Sequence, residues 1–500
     1  MVQFNSIPAN LRVPLFYAEV NAGQSPFQGQ SRLLLIGQRT SAGSIAANTI
    51  ARLDGDPQAL AGAGSMLAEM ALIARQNHPF GEIWLGALAD PAGAAQTFTL
   101  TVGVGILGSS GTLSLYVSGE KLQVGVAPAD TNAVVATNIA AAIDAGYTRF
   151  GRPLSFPVTT GVASNVVTLT ARNVGALGGK ISIEKDIVGD EGPLGNYLTI
   201  AAGTAGTGTP ALATLLAALG DVEFDWIAAP YADTTSLDVI KDYLGGVSGR
   251  WSPVQQLFGH YVSALFDTFG NLASAGAARN DPNVSVMGAV NSPSPPWQWA
   301  AAVGAAIAQD KNLGSEVDQA YRISQPLQTI ELVGIRPPKS RANWFSITQR
   351  NQLYQDGISG FRVLIDGTVL LDRVITTYQT NSYAQPDITW LDVETRAQMV
   401  YFVRYLRQRI TQTYGRMALA DDGELRTGIV TPKMLKAEIV HAYKELEAGG
   451  LVEKSGLFAQ SLVVERSVDP NRVNAYIPVD VVNQFRVFAA NVTTFLEYPA

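Results

Sequence analysis

The run DVEFDWIAAPY, residues 221–231, reads as a short buried strand: apolar residues fill its centre and a proline stops it. TSLDVIKDYLGGV (235–247) follows with helical spacing. VQQLFGHYVSA (254–264) reads as a second strand, and TFGNLASAGAARN (268–280) as a helix with small faces. VSVMGAV (284–290) and PPWQWAAAVGAAIAQDKN (295–312) repeat the unit, the prolines suiting a helix's first turn. Strand–helix units in succession predict a parallel sheet flanked by helices.

Upstream, SRLLLIGQ (31–38) and EIWLGAL (82–88) read as further buried strands, with a helix in the Ala- and Met-rich stretch Ala61–Asn77 between them. Composition shifts at about Asp90 and stays rich in Gly, Thr, Val and Ser to about Thr209. There TFTLTVGV (97–104), TLSLYVSG (112–119), EKLQVGV (120–126), SNVVTLTAR (164–172) and KISIEKDI (180–187) alternate apolar and polar residues as half-buried strands do. One helix, DTNAVVATNIAAAIDAG (130–146), interrupts them, and AAGTAGTGTP (201–210) closes the segment as a linker. The segment reads as a β-rich domain inserted into the α/β domain.

Downstream, FRVLIDGTVLLDRVITTY (361–378) predicts a hairpin whose Asp366-Gly367 supplies the two positive-φ positions of a tight primed turn. DVETRAQMVYFVRYLRQRITQTYG (392–415) is an amphipathic helix with Met399, Phe402, Val403, Leu406 and Ile410 in one stripe and Arg396, Arg404, Arg407 and Gln408 elsewhere on its surface. A second helix starts at Thr431-Pro432 and stops at Gly449-Gly450. SLVVERSV (461–468) and NAYIPV (474–479) read as strands. Both chain ends are unusual. NLRVPLFYAEVNAG (10–23) and QFRVFAANVTTFLEYPA (484–500) are apolar and strand-like where polar, loosely ordered residues are the rule. An isolated strand exposes unpaired N–H and C=O groups and invites pairing with another chain, although both ends could instead join this chain's own sheet.

Composition narrows the chemistry. The chain has 500 residues, of which 47% are hydrophobic and 15% charged, with a net charge of −7. Nothing in that balance favours nucleic acid or anionic membranes. Cysteine is absent, so disulfides, thiolate nucleophiles and Fe–S sites are excluded. The start MVQFNSIPANL has no basic-then-apolar leader, which gives the expectation of a soluble protein made inside the cell, and no apolar run is long enough to span a bilayer. The sequons at Asn283 and Asn491 are accordingly read as chance. GVGILG (103–108) matches a dinucleotide fingerprint, yet SSGTLSLYV after it is a strand rather than a helix, so a hairpin loop is expected. No nucleophile elbow or phosphate loop appears. The three histidines, His78, His260 and His441, lack metal spacing and read as packing or surface residues. Asp421-Asp422-Gly423-Glu424 reads as a polar turn, its spacing unlike a calcium loop. Arg404, Arg407, Arg409 and Arg416 form either a solvated helix face or a dock for an acidic protein.

Long stretches carry a resemblance. TWLDVETRAQMVYFVRYLRQRI (389–410), LADDGELRTGIVTPKMLKAEIV (419–440) and RSVDPNRVNAYIPVDVVNQFRVFAANVTTFLEY (466–498) resemble the C-terminal domain of contractile tail sheath proteins of Mu-like phages. FNSIPANLRVPLFYAEV (4–20) with LLLIGQ (33–38), and GTLSLYVSGEKLQVGVAPADTNAVVATNIAAAIDA (111–145), are similar to that family's N-terminus and protruding domain. The resemblance implies a non-catalytic α/β core of subtilisin-like fold at 26–90 and 205–358, with a protruding β-rich insert at 91–204. It implies an α+β C-terminal domain at 359–485 facing an inner tube, and arms at 1–25 and 486–500. It further implies a structural subunit, not an enzyme, without cofactor or metal, stacked as hexameric rings in a virion tail and assembled in the host cytoplasm. Expected partners are further copies of the chain, the tail tube protein, and baseplate and terminator proteins. Neither nucleic-acid binding nor membrane insertion is expected.

Leu15, Phe16, Tyr17, Ala18, Glu19 and Val20, with Val492, Thr493, Thr494, Phe495, Leu496, Glu497 and Tyr498, would be the strands exchanged between subunits. Arg404, Arg407, Arg409, Lys433 and Lys436 would be the candidates for touching the tube. Contraction would then be rigid-body movement of subunits while linkers beside the exchanged strands bend. The sheath of an R-type pyocin-like or type VI secretion-like system is the alternative, and a hydrolase on the α/β core the reading from another class.

Overall fold

The computed structural model describes residues 31–185, 192–312, 320–423, 426–494 and 496. In chain order, β1 (Arg32–Gln38), β2 (Thr49–Arg52), α1 (Pro57–Ala61), α2 (Met66–Asn77) and β3 (Glu82–Leu88) come first. Next are β4 (Thr97–Val102), β5 (Gly111–Val117), β6 (Glu120–Val126), α3 (Asn132–Asp144), β7 (Tyr147–Arg149), β8 (Arg152–Leu154), β9 (Val158–Ala163), β10 (Val166–Ala171), β11 (Ile183–Glu184) and β12 (Leu198–Ala202). The chain continues with α4 (Ala213–Ala218), β13 (Trp226–Ala228), α5 (Thr234–Leu244), β14 (His260–Phe266), α6 (Phe269–Ala277), β15 (Val284–Ala289) and α7 (Pro296–Asp310). The last part holds α8 (Tyr321–Ser324), α9 (Ile347–Gln355), β16 (Gly360–Val363), β17 (Val369–Arg373), α10 (Val393–Tyr414), β18 (Ala418–Leu419), β19 (Ile429–Val430), α11 (Pro432–Ala448), α12 (Ser455–Ser461), β20 (Val463–Arg466) and β21 (Val473–Tyr476).

The main sheet runs β15-β14-β13-β1-β3-β2, parallel throughout except for β2, which is antiparallel to β3. Leu33, Leu34, Leu35 and Ile36 are fully buried, so β1 is covered on both faces, as a central parallel strand must be. Glycines show which helix covers which face. A Cβ on Gly37 would meet Met70 and Leu67 of α2, whereas one on Gly86, on the opposite side of the pleat, would meet Leu215 of α4. A Cβ on Gly304 of α7 would lie 2.7 Å from the Cβ of Ala228. That helix therefore rests almost on the sheet backbone. The helix starts follow local chemistry: the Ser65, Asp233 and Thr268 side chains accept backbone N–H groups at the heads of α2, α5 and α6, and proline opens α7.

The strand expected from residue 254 begins at His260 instead. Residues 254–259 wrap the buried side chain of Arg250, which donates to the carbonyls of Phe258 (3.2 Å), Gly220 (3.2 Å) and Val222 (2.6 Å). Gln256 and Phe258 are in the left-handed region as a result.

Residues 97–202 form a four-stranded antiparallel sheet, β12-β4-β10-β9, a three-stranded one, β11-β5-β6, and the hairpin β7–β8. Their apolar residues continue the cluster of the main sheet without a break. The GVGILG segment is a single 3-10 turn at Val104–Ile106. It carries the chain from one sheet to the next, so it is not a hairpin loop, and no helix follows it. Residues 203–210 are packed rather than loose: Thr207 N–H donates to Ala94 O (3.0 Å) and Ala176 N–H to Gly208 O (3.0 Å).

In the last part β16 and β17 pair as expected. Their connection is wider than a primed turn: Leu364 N–H donates to Thr368 O, and only Gly367 has positive φ (89°). Asp366 avoids that region because its Oδ1 accepts the Thr368 N–H at 2.9 Å. A second apolar cluster joins α10, α11 and α12 through Phe402, Tyr405, Tyr443, Leu446 and Phe458. Val403, Leu406 and Ile410 only line its margin; the buried positions of α10 are Val393, Glu394, Arg396, Gln398, Tyr401, Phe402 and Tyr405.

Candidate assembly surfaces

Among the described residues the C-terminal segment has no strand partner. Residues 483–494 are in no strand. They leave Phe485, Val487, Phe488 and Val492 between 69% and 84% exposed. Val492, Thr493, Thr494 and Leu496 are all exposed. Leu15–Val20, Phe495, Glu497 and Tyr498 lie outside the described residues. Close in sequence, β20 and β21 form an antiparallel hairpin with no third strand among the described residues. Tyr476 is 66% and Val463 48% exposed on it. Two strands alone are a marginal sheet in water, and edges of this kind accept further strands.

The cations of α10 and α11 divide into two groups. Arg404 reaches back to the main sheet, pairing with Asp225 and with Glu223 (3.1 Å), and its guanidinium lies over Phe258. Burial works against its charge, and the Asp225 and Glu223 carboxylates outweigh that, so its pKa sits above the ordinary value. Arg409 is held by Glu438 and Glu445 and donates to the Tyr405 hydroxyl (2.8 Å). Both are committed within the chain. Arg407 is more open, 3.6 Å from Glu223. Lys433 is exposed and Lys436 half-buried on α11.

Arg396, expected on the surface, is buried. Its guanidinium lies 3.6 Å from the ring centre of Trp251 and 4.6 Å from that of Trp390, and it donates to Asn283. Burial lowers its pKa to about 9, with Asp281 pulling the other way. Asn283, the first residue of one sequon, is thereby sealed inside the protein. Sequence reading also missed Gln398, Glu394 and Arg486. Gln398 donates to Val482 O (2.8 Å), and Arg486 pairs with Asp392 (3.0 Å) and Glu394 (2.9 Å). A polar residue at a helix's core-facing position was the one available signal.

The histidines have structural partners. His78 Nδ1 bonds Gln309 (2.7 Å), His260 Nε2 bonds Ser285 (2.8 Å), and His441 lies 3.3 Å from Glu445. Burial takes His260 down to about 3, keeping it neutral. Asp422 Oδ1 accepts the Lys433 N–H (2.9 Å), tying the acidic turn to the head of α11. Among the described residues no group of three or more His, Cys, Asp or Glu could hold a metal ion, and no helix is long and apolar enough to cross a membrane.

Residues 205–377 match the phage tail sheath protein central domain, and residues 385–495 the phage tail sheath C-terminal domain. Over 501 aligned residues, 98% of this chain and 98% of the relative, the sequence is 32% identical to the Mu-like prophage FluMu tail sheath protein of Haemophilus influenzae. Among solved structures, the sheath tail protein of Desulfitobacterium hafniense is similar over 93% of this chain and 100% of its own (TM-score 0.47, 14% identity). The helical sheath of the anti-feeding prophage in its contracted state is similar over 97% and 100% (TM-score 0.46, 13% identity). With two sheath domains in tandem and identity of this extent along nearly its whole length, the chain belongs to the phage tail sheath family.

Proposed function

We propose that the chain is the repeating subunit of a contractile phage tail sheath, stacked as hexameric rings around a tail tube and linked by strands donated between neighbours. The observation that carries this is the apolar, exposed segment 483–494, unpaired by any strand among the described residues, beside the two-stranded hairpin β20–β21. Residues 492–498 of one copy, and 15–20 of another, would add to the open edges of that hairpin. One backbone hydrogen bond contributes only about 0.5–1.5 kcal/mol. Several per strand, repeated in every subunit, make a net that survives large rearrangement. Head-to-tail contacts that do not close produce a filament.

In this reading the six-stranded sheet with its helices is a subtilisin-like core without catalysis, 91–204 is the outward protrusion, and 359–485 faces the tube. The exposed Lys433 and Arg407 and the half-buried Lys436 are the cations that would touch it; Arg404 and Arg409 hold the subunit together. The particle is built in the host cytoplasm, and baseplate and terminator proteins bound it. On triggering, subunits move as rigid bodies while the strand linkers bend, and the tube is driven through the host envelope. The test is negative-stain electron microscopy of the full chain beside a version lacking 490–500. Long hollow tubes from the first and only monomers or rings from the second are expected. Discrete particles from both would overturn the proposal.

A further inference from the structure

We infer that Arg486 is the pivot of the C-terminal arm, fastening its root to the first turn of α10; this rests on reading 486–500 as an arm. Up to Arg486 the segment is bonded to the body. Glu453 N–H donates to Asp480 O (2.9 Å), and Val482 N–H to Leu451 O (3.1 Å). The buried Gln398 side chain donates to Val482 O at 2.8 Å. Arg486 then donates through Nη2 to Asp392 Oδ1 (3.0 Å) and Glu394 Oε1 (2.9 Å).

These two carboxylates are fixed independently. Asp392 is the N-cap of α10 and is gripped by Arg373 of β17 through two bonds of 2.9 Å. Glu394 has a fully buried side chain and also accepts the Leu327 N–H at 2.9 Å. Both stand at a helix N-terminus, where unpaired N–H groups favour negative charge. One residue beyond Arg486 the contacts stop. Val487 is 79% and Phe488 78% exposed, and residues 487–494 make no hydrogen bond to the other described residues.

Motion of the arm is thus confined to residues after 486, and a pull on it loads α10. That helix is joined to the main sheet further along by Arg396 and Arg404. A buried carboxylate stripped of its cation is costly, so the root does not slip easily.

The experiment is amide hydrogen exchange on the unassembled full-length protein. The bonded amides of Asp480 and Val482, Val482 above all, should exchange at least about ten times more slowly than those of 487–494. Arg486→Ala should erase that difference while the strands of the main sheet stay protected. Val482 protected as in the wild type would overturn the pivot, as would equal protection on both sides of residue 486 in the wild type. Should Arg486→Ala fail to fold, Glu394→Gln removes the charge, keeps the shape and carries the same criterion. Protection as expected in a protein that forms no tubes would leave the pivot standing and remove the sheath reading.

Discussion

In the six-stranded sheet the chain meets itself through methyl groups and backbone; along α10 it meets the same body through arginines. Leu33–Ile36 are fully buried, and α7 approaches so closely that Gly304 faces Ala228 directly. Contact of that kind is dry, close-packed and intolerant of displacement. Helix α10 instead sends Arg404 to Asp225 and Glu223 and seats Arg396 between Trp251 and Trp390. Buried pairs of this type add little over apolar packing, but they penalise every arrangement that leaves one charge alone. The sheet supplies cohesion, and α10 supplies the one correct docking of the last part of the chain.

The comparison can be broken first where cohesion is concentrated. Trp299, fully buried against Phe361 and Phe266, donates to Ser292 Oγ at 2.9 Å. Trp299→Ala is expected to cost about 3–5 kcal/mol in urea unfolding. A loss under about 1 kcal/mol would mean that the sheet and α7 relax freely.

Next comes the joint. Arg404→Met strands Asp225 and is expected to cost about 3 kcal/mol. Adding Asp225→Asn, which keeps an acceptor for the Arg32 N–H, should recover the loss to within about 1 kcal/mol. No recovery would show that α10 docks by shape rather than by charge.

A smaller effect depends on pH. Glu69 lies between α2 and α7, bonded by Trp297 (2.6 Å) and Gln298 (3.2 Å) and near Arg149 and Glu120 of the 97–202 segment. Burial raises its carboxyl from 4.5 to about 7, against the pull of both hydrogen bonds. The folded carboxyl therefore holds its proton more tightly than the unfolded one. The stability this lends is complete below about 4.5 and is lost as pH rises through about 7. Glu69→Gln should flatten that decline, on the order of 2 kcal/mol, in thermal melts from pH 4.5 to 8. A decline unchanged in the variant would assign it to another group.

The smallest effect on stability falls on the tube-facing candidates. Lys433→Glu with Lys436→Glu should change unfolding by less than about 0.5 kcal/mol while abolishing sheath assembly on tubes in a pelleting assay. Assembly at wild-type levels would remove these lysines from the tube contact.

How legible all this was depends on the range of the interaction. The strands at 32–38, 82–88 and 284–289 and the helix at 296–310 stand where periodicity places them, because burial on both faces writes itself into consecutive residues. The segment 254–259 misled, since Arg250 draws it around itself and no local pattern announces that. The stripe on α10 was read correctly as apolar but not as the most buried face; that role falls to Glu394, Gln398 and two tyrosines, residue types whose polar groups do not mark a core-facing position. Asp366-Gly367 marked the turn but not its width, because the aspartate side chain closed it. For assembly, the sticky C-terminus was visible in the residues, whereas the commitment of Arg404 and Arg409 was not.

The sequence by itself determined the alternation of strands and helices, the absence of thiol chemistry, the apolar termini and the likeness to tail sheaths, because these rest on residue type and on spacings of a few positions. Only the tertiary structure decided which charges are spent inside the molecule and which carboxylates Arg486 meets. Arg404 lies 179 residues from Asp225, and Arg486 lies 92 from Glu394. No periodicity reaches across such gaps; the pairs exist only once the sheet, α10 and the final segment have been brought together.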